Sequence, residues 1–245
     1  MKRTTLLLTA VAALAGLAAA AKDVYVIDSN GTKIEGRALK ADDRGNLTLQ
    51  IAQGAQRTFK RGSYRYAHVP RPTDVARLEQ ALRQERYDII KKMAPKIFDE
   101  YKYLGWAGRI AYIEAQAHLQ DENYQRALNV AQEAAPFAGP QSEMVNRVKA
   151  EALLGLGRND QAADILEGLR KSDDDATAAF AFYAQGQLAE EEGRKREAIL
   201  EYLKTVLLFE PGSLDSQVRQ RAKQQVVDLL KEMNDPRYKT FQQMK

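Results

Sequence analysis

The chain has 245 residues, 44% of them hydrophobic and 29% charged, which is enough to bury a core without covalent staples. It contains no cysteine, and this excludes disulfides, thiolate metal sites, cysteine nucleophiles and a lipid anchor built on a cleavage-site cysteine. The formal net charge of +4 is unevenly placed, with ten Lys and Arg against five Asp and Glu in residues 22–72 and twenty-five against twenty-eight in residues 73–245. That asymmetry predicts two units with different surfaces.

Residues 1–21 place Lys2 and Arg3 before an apolar run from Leu6 to Leu17 and end in alanines. A charged start, an apolar middle and small residues at the end predict a secretory signal peptide cleaved near Ala20 or Ala21. The run is dominated by alanine and is short for a bilayer core of about 30 Å, which argues against a retained anchor helix. The expected location is therefore periplasmic or secreted, with no integral membrane segment after cleavage.

In residues 22–70 the apolar period is two. Val24 and Val26 alternate with Tyr25 and Ile27, and Leu47, Leu49 and Ile51 repeat the pattern. Breaks at Ser29-Asn30-Gly31, at residues 42–45, at Gly54 and at Gly62-Ser63 divide this stretch into four or five short strands. Strands this short bury enough surface by curling on themselves, so a small barrel is expected. The run from Val24 to Gln50, with Gly36 in its second strand, resembles SH3-like or Sm-like small barrels. Arg57, Lys60, Arg61, Arg65 and Arg71 interleave with Phe59, Tyr64 and Tyr66, a mixture found in nucleic-acid binders. Export argues against nucleic acid and leaves solvated charges beside half-buried rings as the plainer reading.

Pro70 and Pro72 end the strands, and a domain boundary is placed there. Few contacts are expected to cross it, so proteolysis should cut near residues 68–74. Thr73 and Asp74 are read as the cap of the first helix, and helical periodicity then runs almost to the end. Three segments superpose Ala127, Ala162 and Ala198 at offsets of 35 and 36 residues, and twelve positions upstream stand Ala115, Ala150 and Gly186. Paired small residues at this spacing let two antiparallel helices approach closely. Gly157 and Gly193 stand where a helix ends in a left-handed cap.

On these residues the stretch from Gly108 to Pro211 resembles the tetratricopeptide family, whose period is about 34 residues. The resemblance implies about four helix pairs over residues 73–211, closed by a capping helix at residues 213–233 and a frayed polar tail. Three features depart from the family pattern. Ile90 stands where alanine is expected, and the residue before each small position is polar: Glu114, Lys149 and Gln185. Pro95 is expected to kink or split its helix. The whole is expected to be an α+β multidomain chain, a small β-barrel-like module followed by an all-α superhelix of tetratricopeptide-like repeats.

Little in the sequence points to catalysis. His68 and His118 fall in different units without metal-ligand spacing, so no metal or cofactor is expected. Gly155-Leu156-Gly157 follows no strand and lacks the third glycine of a dinucleotide fingerprint. Asp173-Asp174-Asp175 reads as a helix cap and not as a calcium loop.

Tetratricopeptide grooves are lined by the first helix of each pair, and the resemblance carries this role to Arg109, Tyr112, Gln116, Arg147, Glu151, Tyr183 and Gln187. The lysine and asparagine set of the family's carboxylate clamp is absent. Tyr112, Arg147 and Tyr183 are expected to be exposed anchors whose removal hurts binding and spares folding. The functional expectation is an exported, non-catalytic scaffold for protein or peptide partners in a bacterial cell envelope, with homo-oligomerisation left open. The alternative is a fixed structural subunit of an envelope assembly serving outer-membrane biogenesis, secretion or cell-wall organisation.

Overall fold

The computed structural model describes residues 23–209 and 216–243. The predicted signal peptide lies outside these residues, as do Pro211 and Gly212.

Among the described residues six short strands come first: β1 (Tyr25–Asp28), β2 (Lys33–Glu35), β3 (Ala38–Ala41), β4 (Leu47–Gln50), β5 (Gln56–Phe59) and β6 (Tyr64–His68). They form two antiparallel three-stranded sheets, β2-β1-β6 and β3-β4-β5. The chain passes from one sheet to the other at Gly36, where a Cβ would lie 2.5 Å from Leu49 Cδ1 and 2.6 Å from the Gln50 carbonyl oxygen. Only glycine permits so close a crossing. The expected barrel is not formed, because among the described strands no ladder joins the two sheets. The SH3-like resemblance is therefore not supported.

The reason lies in what covers the apolar faces. Val24, Val26, Leu39, Leu47, Leu49, Phe59 and Ala67 share one core with Leu104, and Tyr101 and Tyr103 pack beside it. Side chains from the helical part complete the burial that closure would otherwise supply.

Ten α-helices follow among the described residues: α1 (Thr73–Arg83), α2 (Tyr87–Tyr101), α3 (Ala107–Gln120), α4 (Tyr124–Ala134), α5 (Ser142–Gly155), α6 (Asn159–Leu169), α7 (Asp175–Glu191), α8 (Lys195–Leu207), α9 (Ser216–Glu232) and α10 (Tyr238–Gln243). They pair in chain order, and one turn recurs. Glu85, Glu122, Gly157, Gly193 and Asn234 all have φ between 54° and 74°. At each turn the next residue donates its N–H to the carbonyl five residues back: Arg86 to Ala81, Asn123 to His118, Arg158 to Leu153, Arg194 to Ala189 and Asp235 to Leu230, all at 2.8–2.9 Å. This is the Schellman cap repeated five times. Two of the five positions are the glycines singled out in the sequence; the other three carry side chains at the strained φ.

The small residues lie where the spacing placed them. Ala115, Ala127, Ala150, Ala162 and Ala198 are fully buried. Gly186 has a reason of its own, since a Cβ there would lie 2.6 Å from the ring of Tyr202. Tyr202 stands four residues after Ala198, at the position held by Ala131 and Leu166 in the preceding units. The larger side chain is accommodated by removing the facing Cβ.

Pro95 lies inside α2, which it does not split. Three details differ from the sequence reading. The N-cap of α1 is Pro72, with no side-chain cap bond, while Asp74 sits in the first turn and pairs with Arg77 at 3.0 Å. The tail after Asn234 forms α10, whose Tyr238 and Phe241 pack against the α8–α9 core. Contacts also cross the boundary between the strands and the helices. The Trp106 indole donates to the Val69 carbonyl at 3.0 Å, and the Val69 N–H donates to the Leu104 carbonyl at 3.3 Å. The Asp174 carboxylate does cap α7, accepting from the Thr177 N–H at 2.9 Å.

Candidate functional site: the face of the first helices

The seven predicted groove residues sit on the first helices of successive pairs, α3, α5 and α7, and all are half-buried. The recurring left-handed turn fixes their columns. Counting back 37 residues, the spacing of Glu85 and Glu122, aligns Glu79 with Gln116, and the 35- and 36-residue offsets add Glu151 and Gln187. One column therefore reads Glu79, Gln116, Glu151, Gln187. The next reads Val75, Tyr112, Arg147, Tyr183.

Side chains on this face are wired across the units. Glu79, 8% exposed, accepts from Arg109 Nε at 2.8 Å and from Arg71 Nη1 at 3.1 Å, and the Arg109 guanidinium lies 5.8 Å from the Tyr112 ring centroid. Gln116 Nε2 donates to Glu151 Oε2 at 2.9 Å, and Arg147 Nε donates to Glu151 Oε1 at 3.2 Å. Arg147 also covers the Phe180 ring at 4.7 Å. In each network a carboxylate is held between donors from different segments, Arg71 before α1 and Arg109 of α3 in one, Gln116 of α3 and Arg147 of α5 in the other, which orients the donors.

Tyr183 belongs to a different environment. Its ring is 5.5 Å from that of the fully buried Tyr202, and burial pushes its phenol above the ordinary value against the opposing pull of Arg221. Tyr183 and Arg147 thus carry packing as well as surface. Tyr112, Arg147 and Tyr183 are half-buried, where three freely exposed anchors were expected.

Three participants, Arg71, Glu79 and Phe180, were missed in the sequence. Phe180 follows from extending the Arg109 position by 35 and then 36 residues through Met144, and that alignment was available. Glu79 needed the 37-residue spacing of the first turn, which glutamates at left-handed positions conceal.

On another side of α3 stands Glu114, the first of the polar departures. It is 4% exposed beside Arg126 at 3.7 Å and His118 at 3.8 Å. Burial raises its carboxyl to about 7, with Glu133 adding to the rise and Arg126 opposing it. Lys149 and Gln185, its counterparts, are only half-buried. His118 is held below its usual value by burial and by Arg126 and Lys91. Among the described residues no cluster of His, Cys, Asp and Glu is suited to a metal ion, and no helix is long and apolar enough to cross a membrane.

No family model matches this chain, and no curated protein matches it. Solved structures do. A MamA RS-1 ArsTM double mutant is similar at 16% identity with a TM-score of 0.49, over 69% of this chain and 87% of that one. MamA 41-end from Desulfovibrio magneticus RS-1 is similar at 15% identity with a TM-score of 0.47, over 70% of this chain and 90% of that one.

Proposed function

We propose that this chain is an exported, non-catalytic adaptor of a bacterial cell envelope that holds protein or peptide partners on the face of its first helices. The observation that carries the reading is the Glu and Gln column at positions 79, 116, 151 and 187, bordered by Arg109, Arg147, Tyr112 and Tyr183. Stacked helix pairs present such a face continuously, and arginine and tyrosine are frequent binding hot spots. Arginines already oriented by carboxylates lose little freedom when they bind an extended polar segment.

A photo-crosslinking residue introduced at Tyr112 or Gln187 in the native cell should capture one recurring protein partner. The same residue at Gln125, exposed on α4, should not. Capture from Gln125 alone would overturn the assignment of the face. Export is tested by the intact mass of the protein from its native envelope, and a mass that retains residues 1–17 would overturn it.

A second reading, a fixed subunit of an envelope assembly, rests on Leu200, Leu207 and Leu208 of the last complete pair. They are 53%, 58% and 63% exposed. Three large apolar side chains on one short stretch favour permanent packing against another surface. Recovery of the chain in a complex of constant stoichiometry would favour that reading over exchangeable partners.

A further inference from the structure

A cavity of about 310 Å³ lies where β6 meets the loop between α2 and α3 and the segment between α4 and α5. Its walls are closely built. Gly105, at φ +87°, would place a Cβ 2.6 Å from the Ala67 carbonyl oxygen and 2.7 Å from the Tyr66 hydroxyl. Gly139, at φ +50°, would place one 2.7 Å from the Tyr66 ring. Two glycines thus let three separate segments close around one space, and the Tyr66 hydroxyl donates to the Gly105 carbonyl at 3.3 Å.

The lining is cationic and aromatic. Arg61, Arg65 and Lys102 face it, and no carboxylate is among the residues that line it. Lys102 pairs with Asp99 at 2.7 Å, and Arg65 Nε donates to the Ser29 carbonyl at 2.9 Å. Arg61 has no carboxylate partner among the described residues. Its guanidinium lies instead 4.7 Å from the Tyr103 ring and 5.0 Å from the Phe137 ring, and its main-chain N–H is held by Asn46 Oδ1 at 3.1 Å. The Arg61 guanidinium also donates to the side chain of Tyr64, another wall residue. A guanidinium carries five N–H donors, and stacking on ring faces keeps the remaining ones in the plane that suits a carboxylate or phosphate. Like charges around a small space repel, and an anion between them removes that cost.

We propose that this cavity binds a small organic oxyanion, a carboxylate or phosphate carried on a planar ring. Arg61 grips the head, Arg65 and Lys102 add charge, and the exposed parts of Tyr103 and Phe137 receive the ring. The volume stands at the lower end of the range for small-molecule sites, about 300–1,000 Å³, and so fits one ring with its acidic group. The site belongs to the junction of strands and helices and is independent of the face described above.

The test uses the full chain and two probes, phenyl phosphate and benzoate, with benzyl alcohol and inorganic phosphate as controls. Trp106 is the single tryptophan of the chain and follows the wall residue Gly105, so its fluorescence reports binding beside calorimetry. At least one probe should saturate with a dissociation constant at or below about 1 mM, and each control should bind about tenfold more weakly or worse. The tighter of the two probes identifies the head group. Arg61→Gln should weaken binding about tenfold or more with an unchanged melting temperature, while Arg77→Gln on α1 should change neither. Arg65→Gln serves as the second variant if Arg61→Gln lowers the melt, and it should weaken binding in the same direction. The proposal is overturned if neither probe saturates, if inorganic phosphate or benzyl alcohol matches the probes, or if binding survives both arginine substitutions.

Discussion

The helical stack and the β-module bury their apolar residues by opposite routes. In the stack the paired small residues recur 35 and 36 positions apart, and each turn repeats a left-handed position and the same N–H to carbonyl bond. Contacts there join neighbours, as in any array of repeats. In the module, Val26 and Leu49 belong to separate sheets, and their core is completed by Leu104 from beyond the second helix. The stack therefore advertises itself by periodicity. The module depends on a contact that its own residues do not reveal.

Leu104 is the place where that contrast is broken with the largest effect. Leu104→Ala removes a side chain buried in the strand core from a loop of the helical part, and a cost of about 2–5 kcal/mol is expected. Hydrogen exchange should accelerate in β1 and β6 while α5–α8 keep their protection. Uniform loss of protection along the chain would mean that the two parts unfold as one unit.

Within the stack, the fit of Gly186 to Tyr202 sharpens the repeat logic. Gly186→Ala places a methyl group against a fully buried ring and is expected to lower stability by about 1–3 kcal/mol. Combining it with Tyr202→Leu, which restores the pair of the preceding unit, should cost less than the sum of the two single changes in a denaturant-melt cycle. Strict additivity would remove the compensation from the account.

A smaller effect with the opposite sign is expected at the turns. Glu122 adopts φ 55° where the next two units use glycine. Glu122→Gly should stabilise by up to about 1 kcal/mol, whereas Gly157→Ala should destabilise by a similar amount, both read from denaturant midpoints. The gain is reduced by the greater freedom of glycine in the unfolded chain.

The smallest expected effect depends on pH. The Glu114 carboxyl titrates near 7 in the fold against an ordinary value of 4.5, so its contribution is fully present below about 4.5 and is lost as pH rises through about 7. The melting temperature of Glu114→Gln relative to the parent should therefore rise between pH 5 and pH 8. His118, whose shift runs the other way, contacts Glu114, so the comparison is made in a His118→Gln background. A difference that is flat with pH would mean that Arg126 holds the carboxylate charged throughout.

Of the proposed binding face, the placement of seven residues on α3, α5 and α7 was legible in the sequence, because offsets of 35 and 36 residues superpose helices whose neighbours are local. The place of Glu79 was not. A glutamate occupies the left-handed position that glycine marks elsewhere, and Ile90 replaces the alanine that would have aligned it. Local pattern likewise specified the six short strands only as four or five, and it led toward a barrel.

What the sequence determined by itself was the class of each element and the spacing of the helix pairs, since apolar period, small-residue pairs and turn glycines all act within one turn or one repeat. What the tertiary structure alone decided was how the strands are covered and which cations converge. Leu104, Tyr103 and Phe137 reach the strands and Arg61 from distant points of the chain, and such an encounter leaves no periodic trace in the residues that make it.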